Sequence, residues 1–140
     1  MTESISITPQ INYRTFNITR TQAYVAGRQA ALPILAERLG KSQNENEIVE
    51  DLFILNSMID NGVKDVESMY PVLSRFNNTT SPSIQTFLAG IYRKLQIPDA
   101  FGPLVAMLIK NSINPPNSNF DPNEEIGGAI ISYLSDRFKG

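Results

Sequence analysis

Hydrophobic residues follow two different periods along the chain, and the change falls near residue 19. Before that point they recur every second residue in short pairs, at Ile5 and Ile7, Ile11 and Tyr13, and Phe16 and Ile18. A period of two, built from β-branched and aromatic residues, is typical of extended backbone. Pro9 interrupts the pattern and cannot donate a ladder hydrogen bond. We therefore predict an extended N-terminal arm over residues 1–19, as an edge strand, half of a hairpin or a segment lying on another surface.

Beyond the arm, apolar positions recur at helical spacing. The clearest stripes are Ile48, Leu52, Leu55 and Ile59, then Ile84, Leu88, Ile91 and Leu95, then Ile126, Ile130, Tyr133 and Leu134. Such residues lie on one face of a helix, which packs against a core. We predict a single all-α domain over residues 20–140, an irregular bundle of about five or six helices. Because the stripes lie 36 and then 42 residues apart, a paired-helix repeat is the alternative.

Capping residues, glycine and proline predict where these helices begin and end. A capping box at Thr19 and Gln22 starts the first predicted helix, which ends at Gly40. A second capping box at Ser42 and Glu45 starts a helix that ends at Asn61-Gly62. A further helix starts at Ser81-Pro82 and ends at Pro98, and the last helix starts at Asp121-Pro122. Proline removes a backbone hydrogen bond inside a helix. We therefore expect Pro33 to bend the first helix and Pro71 to split segment 65–76 into a turn and a helix.

Composition removes most catalytic chemistry from consideration. The chain has no cysteine and no histidine, so it has no thiolate, no imidazole base and no zinc site of the usual ligands. Its 12 basic and 14 acidic residues do not give the basic charge typical of nucleic-acid binding. Its longest apolar run, residues 104–109, is far shorter than the roughly 20 residues of a membrane span. We expect a non-enzymatic protein without cofactor, metal or membrane span. Because the start lacks a secretory pattern, we also expect it in the cytoplasm.

Acidic residues are dense at one place, at Glu45, Glu47, Glu50 and Asp51. They fall in the first turns of a predicted helix, where the macrodipole stabilises negative charge, and we expect a solvated face rather than a metal site. The preceding segment 35–43 resembles the first helix and turn of a helix-turn-helix. Its acidic successor would repel phosphates, so we expect no DNA binding.

Charge is also unevenly distributed between the first two parts of the chain. Residues 1–41 carry five basic and two acidic side chains, whereas residues 42–80 carry two basic and seven acidic ones. Opposite charges of this kind attract either between copies, head to tail, or across the inside of one bundle. The sequence leaves both arrangements open.

Small residues form a strip in the first predicted helix. Ala23, Gly27 and Ala31 are spaced by four, with Ala26 and Ala30 beside them. Such a strip permits close approach of a second helix. We expect tight packing inside the domain, with a self-association face as the alternative.

These observations favour an assembly or adaptor role in protein–protein interaction, because extended backbone without a partner strand must find one elsewhere. The predicted contacts with a protein partner or a second copy are Ile5, Ile7, Ile11, Tyr13, Phe16 and Ile18, with Arg14 and Arg20 as orienting charges. The alternative is a helical carrier of an apolar ligand or pigment, whose cavity would be lined by Phe53, Met58, Met69, Phe87, Tyr92, Phe101 and Met107.

Overall fold

The computed structural model describes residues 17–117 and 121–138, with side chains described up to Ser135 in the last helix. Within these ranges the chain is helical and contains no strand, which confirms the all-α class. The helices are α1 (Ile18–Gly27), α2 (Leu32–Lys41), α3 (Glu45–Asp60), the single turn α4 (Tyr70–Leu73), α5 (Pro82–Leu95), α6 (Phe101–Ile113) and α7 (Asn123–Phe138). Short 3₁₀ turns connect α1 to α2, flank α4 and precede α6.

Helix α5 is the centre of the bundle. It packs against α3 and α7, and α6 packs on α7. Leu88 and Ile91 of its predicted stripe are fully buried, as are Leu52 and Leu55 of α3. The apolar stripes of α3 and α5 therefore form a common core, as their spacing predicts.

The first helix begins earlier than predicted. Asn17 is its N-cap, and its side-chain oxygen accepts a hydrogen bond from the backbone N–H of Arg20. Residues 18 and 19 are thus helical, which corrects the predicted extent of the arm, and Thr19 is not the cap. Asparagine is at least as good an N-cap as threonine, which explains the shift. Predictions for residues 1–16 lie outside the described residues.

The predicted single helix up to Gly40 is two helices, and the break is at Arg28 rather than Pro33. Arg28 has φ 53° and ψ −136°, a conformation that ends α1. Pro33 instead lies in the first turn of α2, where its missing N–H would have no helical partner. Gly40 is inside α2, which continues to Lys41.

Several other boundaries are confirmed or shifted by a few residues. Asn44, not Ser42, caps α3 by accepting from the N–H of Glu47. The end at Asn61-Gly62 and the start at Ser81 are confirmed, as is the split near Pro71. Helix α5 ends before Pro98, because Gln96 adopts a left-handed conformation.

Candidate functional site

Two of the predicted partner-binding residues lie in the described part of the chain. Ile18 is exposed at the first position of α1. Arg20 forms an ion pair with Glu50 of α3, with 2.6 Å between Nη1 and Oε1. The remaining predicted contacts, Ile5, Ile7, Ile11, Tyr13, Arg14 and Phe16, lie outside the described residues.

Glu50 joins the beginning of α1 to the body of the domain. Its Oε2 accepts a hydrogen bond from the backbone N–H of Asn17 at 2.9 Å, while Oε1 accepts from Arg20. One carboxylate thus holds both the N-cap and the first turn of α1. Residue 17 is therefore fixed on the surface of α3 at the point where the N-terminal segment joins the bundle.

The acidic cluster is only partly solvated, which corrects the prediction for its second half. Asp51 is 1% exposed and receives hydrogen bonds from Nε and Nη2 of Arg38, the shorter at 2.8 Å. Burial raises the pKa of Asp51, and the hydrogen bonds from Arg38 act in the opposite direction. Asp51 is therefore a structural anchor between α2 and α3.

The ion pairs of Arg20 and Arg38 bear on whether the unevenly distributed charges attract between copies or inside one bundle. Arg20 and Arg38 of the basic part contact Glu50 and Asp51 of the acidic part within one chain. The Arg28 guanidinium donates to the carbonyl of Gly62 at 3.0 Å. Two arginines of the basic part are thus paired with carboxylates of the acidic part across the inside of one bundle.

The strip of small residues lines an exposed apolar groove. Ala23, Ala26, Gly27 and Ala30 are exposed, and Ala31 alone is buried, so the prediction of tight internal packing is wrong for the other four. The groove has a volume of about 400 Å³ and is lined by Ala23, Tyr24, Gly27, Ala30, Ala31 and Ile34. The break at Arg28 divides the strip, since Ala23, Ala26 and Gly27 lie on α1 whereas Ala30 and Ala31 lie in the 3₁₀ turn before α2.

Two further features make this groove a candidate surface for association. Ile34, on its edge, is 56% exposed although it is a large aliphatic residue. Helix α1 contains no fully buried residue, and only Tyr24 and Val25 pack partly against the core. An exposed apolar concavity beside a weakly packed helix marks a surface suited to association.

Sequence reasoning missed Ile34, and it placed Glu50 on a solvated face rather than in contact with Arg20. Ile34 lies beside the buried stripe of α2, which is formed by Leu32, Leu35 and Leu39. A large aliphatic residue off the stripe is the signal that identifies it. Glu50 carries no such signal, because its role depends on where α1 packs.

The residues predicted to line a ligand cavity contribute to packing. Met58, Met69, Tyr92 and Met107 belong to the core. Phe87 and Phe101 pack at its margin, and Phe101 contacts the ring of Tyr133. Phe53 is half-buried and makes an edge-to-face contact with Phe87.

The described residues provide neither a metal site nor a membrane-spanning helix. They hold no group of three or more acidic side chains placed to bind a metal ion. In the same ranges, each helix is too short or too polar to traverse a bilayer. Comparison with protein-family models, curated proteins and solved structures finds no match to this chain.

Proposed function

We propose that this chain is a non-catalytic assembly or adaptor subunit, which associates with a second copy or another protein through its N-terminal segment and its helical body. The observation that carries this proposal is the exposed apolar groove between α1 and α2. It adjoins the helix on which the N-terminal segment enters the bundle.

The groove is suited to a protein ligand because its floor is made of small residues. Ala23, Gly27 and Ala30 allow a partner backbone to approach closely, and Ile34 offers an apolar side chain at the edge. Burying an isoleucine side chain completely stabilises a complex by roughly 1.5–3 kcal/mol. The groove therefore favours an apolar segment that fits beside Ile34.

The N-terminal segment has the length and the side chains to occupy such a groove. Sixteen residues precede Asn17, and a fully extended chain spans up to about 3.3–3.6 Å per residue, roughly 55 Å in total. The ten residues of α1 span about 15 Å. The segment is thus long enough to extend past α1, and we expect its alternating apolar residues to be buried in the groove of a second copy.

The charge pairing inside the chain indicates the character of this association. Arg20 and Arg38 already contact carboxylates of their own chain. Association that buries apolar groups depends little on salt, whereas contact between exposed charges weakens as ionic strength rises. We therefore expect assembly that persists in high salt.

The mass of the protein in solution tests this proposal. The full chain should form a dimer or larger assembly in sedimentation velocity. Ile34→Asp should shift it towards the monomer, because a charge would be buried in the groove.

Ile109→Asp is the matched control, since Ile109 lies on α6 and is 54% exposed, close to the value for Ile34. It should leave the mass unchanged. A full chain that is monomeric at all concentrations would refute self-association, and equal loss of assembly in both variants would refute the groove as its site.

A further inference from the structure

A second concavity lies on another part of the bundle, where the loop 77–80, the start of α5 and the end of α6 meet. It has a volume of about 290 Å³. Its walls are mainly asparagine and threonine side chains, and Met107 adds an apolar surface. Asn78 and Thr80 are exposed at its rim, so the cleft is open to solvent.

The base of this cleft is held in a fixed arrangement by two buried amides. The side-chain amide of Asn111 donates to Oε1 of Gln85 at 2.8 Å, and the amide of Gln85 donates to the carbonyl of Thr79 at 2.9 Å. Both side chains are almost fully buried. The loop, α5 and α6 are therefore joined by hydrogen bonds directly beneath the cleft, which preorganises its walls.

Positive charge in the cleft is not balanced by a carboxylate. Lys110 is the cation in its described lining, and neither aspartate nor glutamate is found there. The nearest acceptor recorded for its ammonium group is Oδ1 of Asn78, at a long 3.4 Å. Lys110 takes part in none of the ion pairs formed between described residues. A lysine in this situation favours an anionic ligand.

The rest of the lining defines the other groups of that ligand. The amides of Asn77, Gln85 and Asn111 are engaged inside the protein, with Tyr92, Thr79 and Asn123 among their partners. Asn78 and Asn114 are the lining amides that remain to face a ligand. An amide side chain offers both a donor and an acceptor, which is the complement of a peptide group. Met107 provides a surface for a short apolar side chain. The open rim allows the remainder of a chain to leave the cleft.

We propose that this cleft binds the C-terminal end of a peptide, with its carboxylate at Lys110 and its last peptide group at the side chains of Asn78 and Asn114. This site is separate from the groove between α1 and α2. It does not depend on the assembly role, and either proposal can fail without the other.

A nuclear magnetic resonance titration of the full chain tests this proposal, with N-acetyl-Ala-Leu as the probe and its C-terminal carboxamide as the neutral analogue. The side-chain amide signals of Asn78 and Asn114 should shift in a saturable manner with the acid. The carboxamide should bind at least about tenfold more weakly than the acid, because a charge-assisted hydrogen bond is lost.

Two lysine variants complete the experiment. Lys110→Gln should weaken binding of the acid about tenfold. Lys64→Gln removes the same charge from an exposed position outside the cleft lining and should leave the affinity unchanged. Equal affinity for acid and carboxamide, an unaltered affinity in Lys110→Gln, or the absence of saturable shifts at the cleft would each overturn the proposal.

Discussion

Removing the guanidinium of Arg38 should destabilise the domain far more than neutralising its partner does. In Arg38→Met the Asp51 carboxylate, 1% exposed, loses the group that donates to both of its oxygens. Loss of one member of a fully buried ion pair costs about 3–5 kcal/mol. The side chain of Arg38 is 34% exposed, so solvent already weakens the pair and we expect roughly 2–3 kcal/mol.

The reverse substitution leaves a different residue unpaired. In Asp51→Asn the unpaired group is Arg38, which solvent reaches and which still faces Glu50 at 3.9 Å. The asparagine retains an oxygen that can accept from Arg38. We expect a cost of about 1 kcal/mol, the value of an ordinary hydrogen bond. The two substitutions therefore remove the same ion pair at clearly different cost.

The pH dependence gives this prediction a second, independent test. Burial raises the pKa of Asp51 above its ordinary value of 3.8. A carboxyl with a raised pKa stabilises the fold in its protonated form, and this contribution is lost as pH rises from 3.8 through the folded-state pKa. Without Arg38 the pKa rises further, because the hydrogen bonds and the charge of Arg38 no longer offset burial. The cost of Arg38→Met should thus be smaller at pH 4.5 than at pH 7.5.

Urea denaturation followed by circular dichroism measures these differences, and the double variant Arg38→Met/Asp51→Leu is measured beside the two single variants. The double variant should recover part of the stability lost in Arg38→Met, since no buried charge remains. The reasoning fails if Asp51→Asn costs more than Arg38→Met, or if the cost of Arg38→Met is the same at both pH values.

Two further predictions concern the buried phenol of Tyr133 and the backbone conformation of Gly62. Tyr133→Phe should cost about 1–2 kcal/mol in urea denaturation, because the hydroxyl donates to the carbonyls of Tyr92 and Ile97. Burial raises the pKa of Tyr133 to about 12. The protonated phenol therefore stabilises the fold below pH 10, and this contribution is lost as pH rises towards 12. Absorbance at 295 nm should show the late ionisation of this tyrosine. Gly62→Ala should lower the free energy of unfolding by about 1–2 kcal/mol, because Gly62 has φ +82°, which is strained for alanine. Gly102→Ala is the control, since no atom lies within 4 Å of the added carbon. It should cost less than about 0.5 kcal/mol in the same assay, the scale of a surface change.

The longest helices could be predicted from the sequence because their signals are local. Helix α3 has its apolar stripe and an end at Asn61-Gly62, and α5 starts at the predicted Ser81. Each of these signals depends on neighbouring residues and on the helical period alone. Tertiary contacts were not needed to find them.

The features that define the candidate site depend on contacts distant in sequence. The left-handed φ of Arg28 accompanies a hydrogen bond to Gly62, 34 residues later. The exposure of Ala30 follows from that break, and the role of Glu50 follows from the position of α1. Sequence patterns identify small residues but do not determine which side of a break they face.

Disulfide trapping between separate copies tests most directly whether the N-terminal segment occupies the groove of a second copy. The chain has no native cysteine, so one variant can carry Ile7→Cys and another Ala30→Cys without interference. When the two are mixed and oxidised, a disulfide-linked dimer that contains one copy of each should form, and Ile34→Asp in the Ala30→Cys chain should reduce its yield. A third chain that carries both substitutions tests for a disulfide within one copy. If the mixture stays monomeric, or if a disulfide forms only within this third chain, the segment does not join copies through the groove.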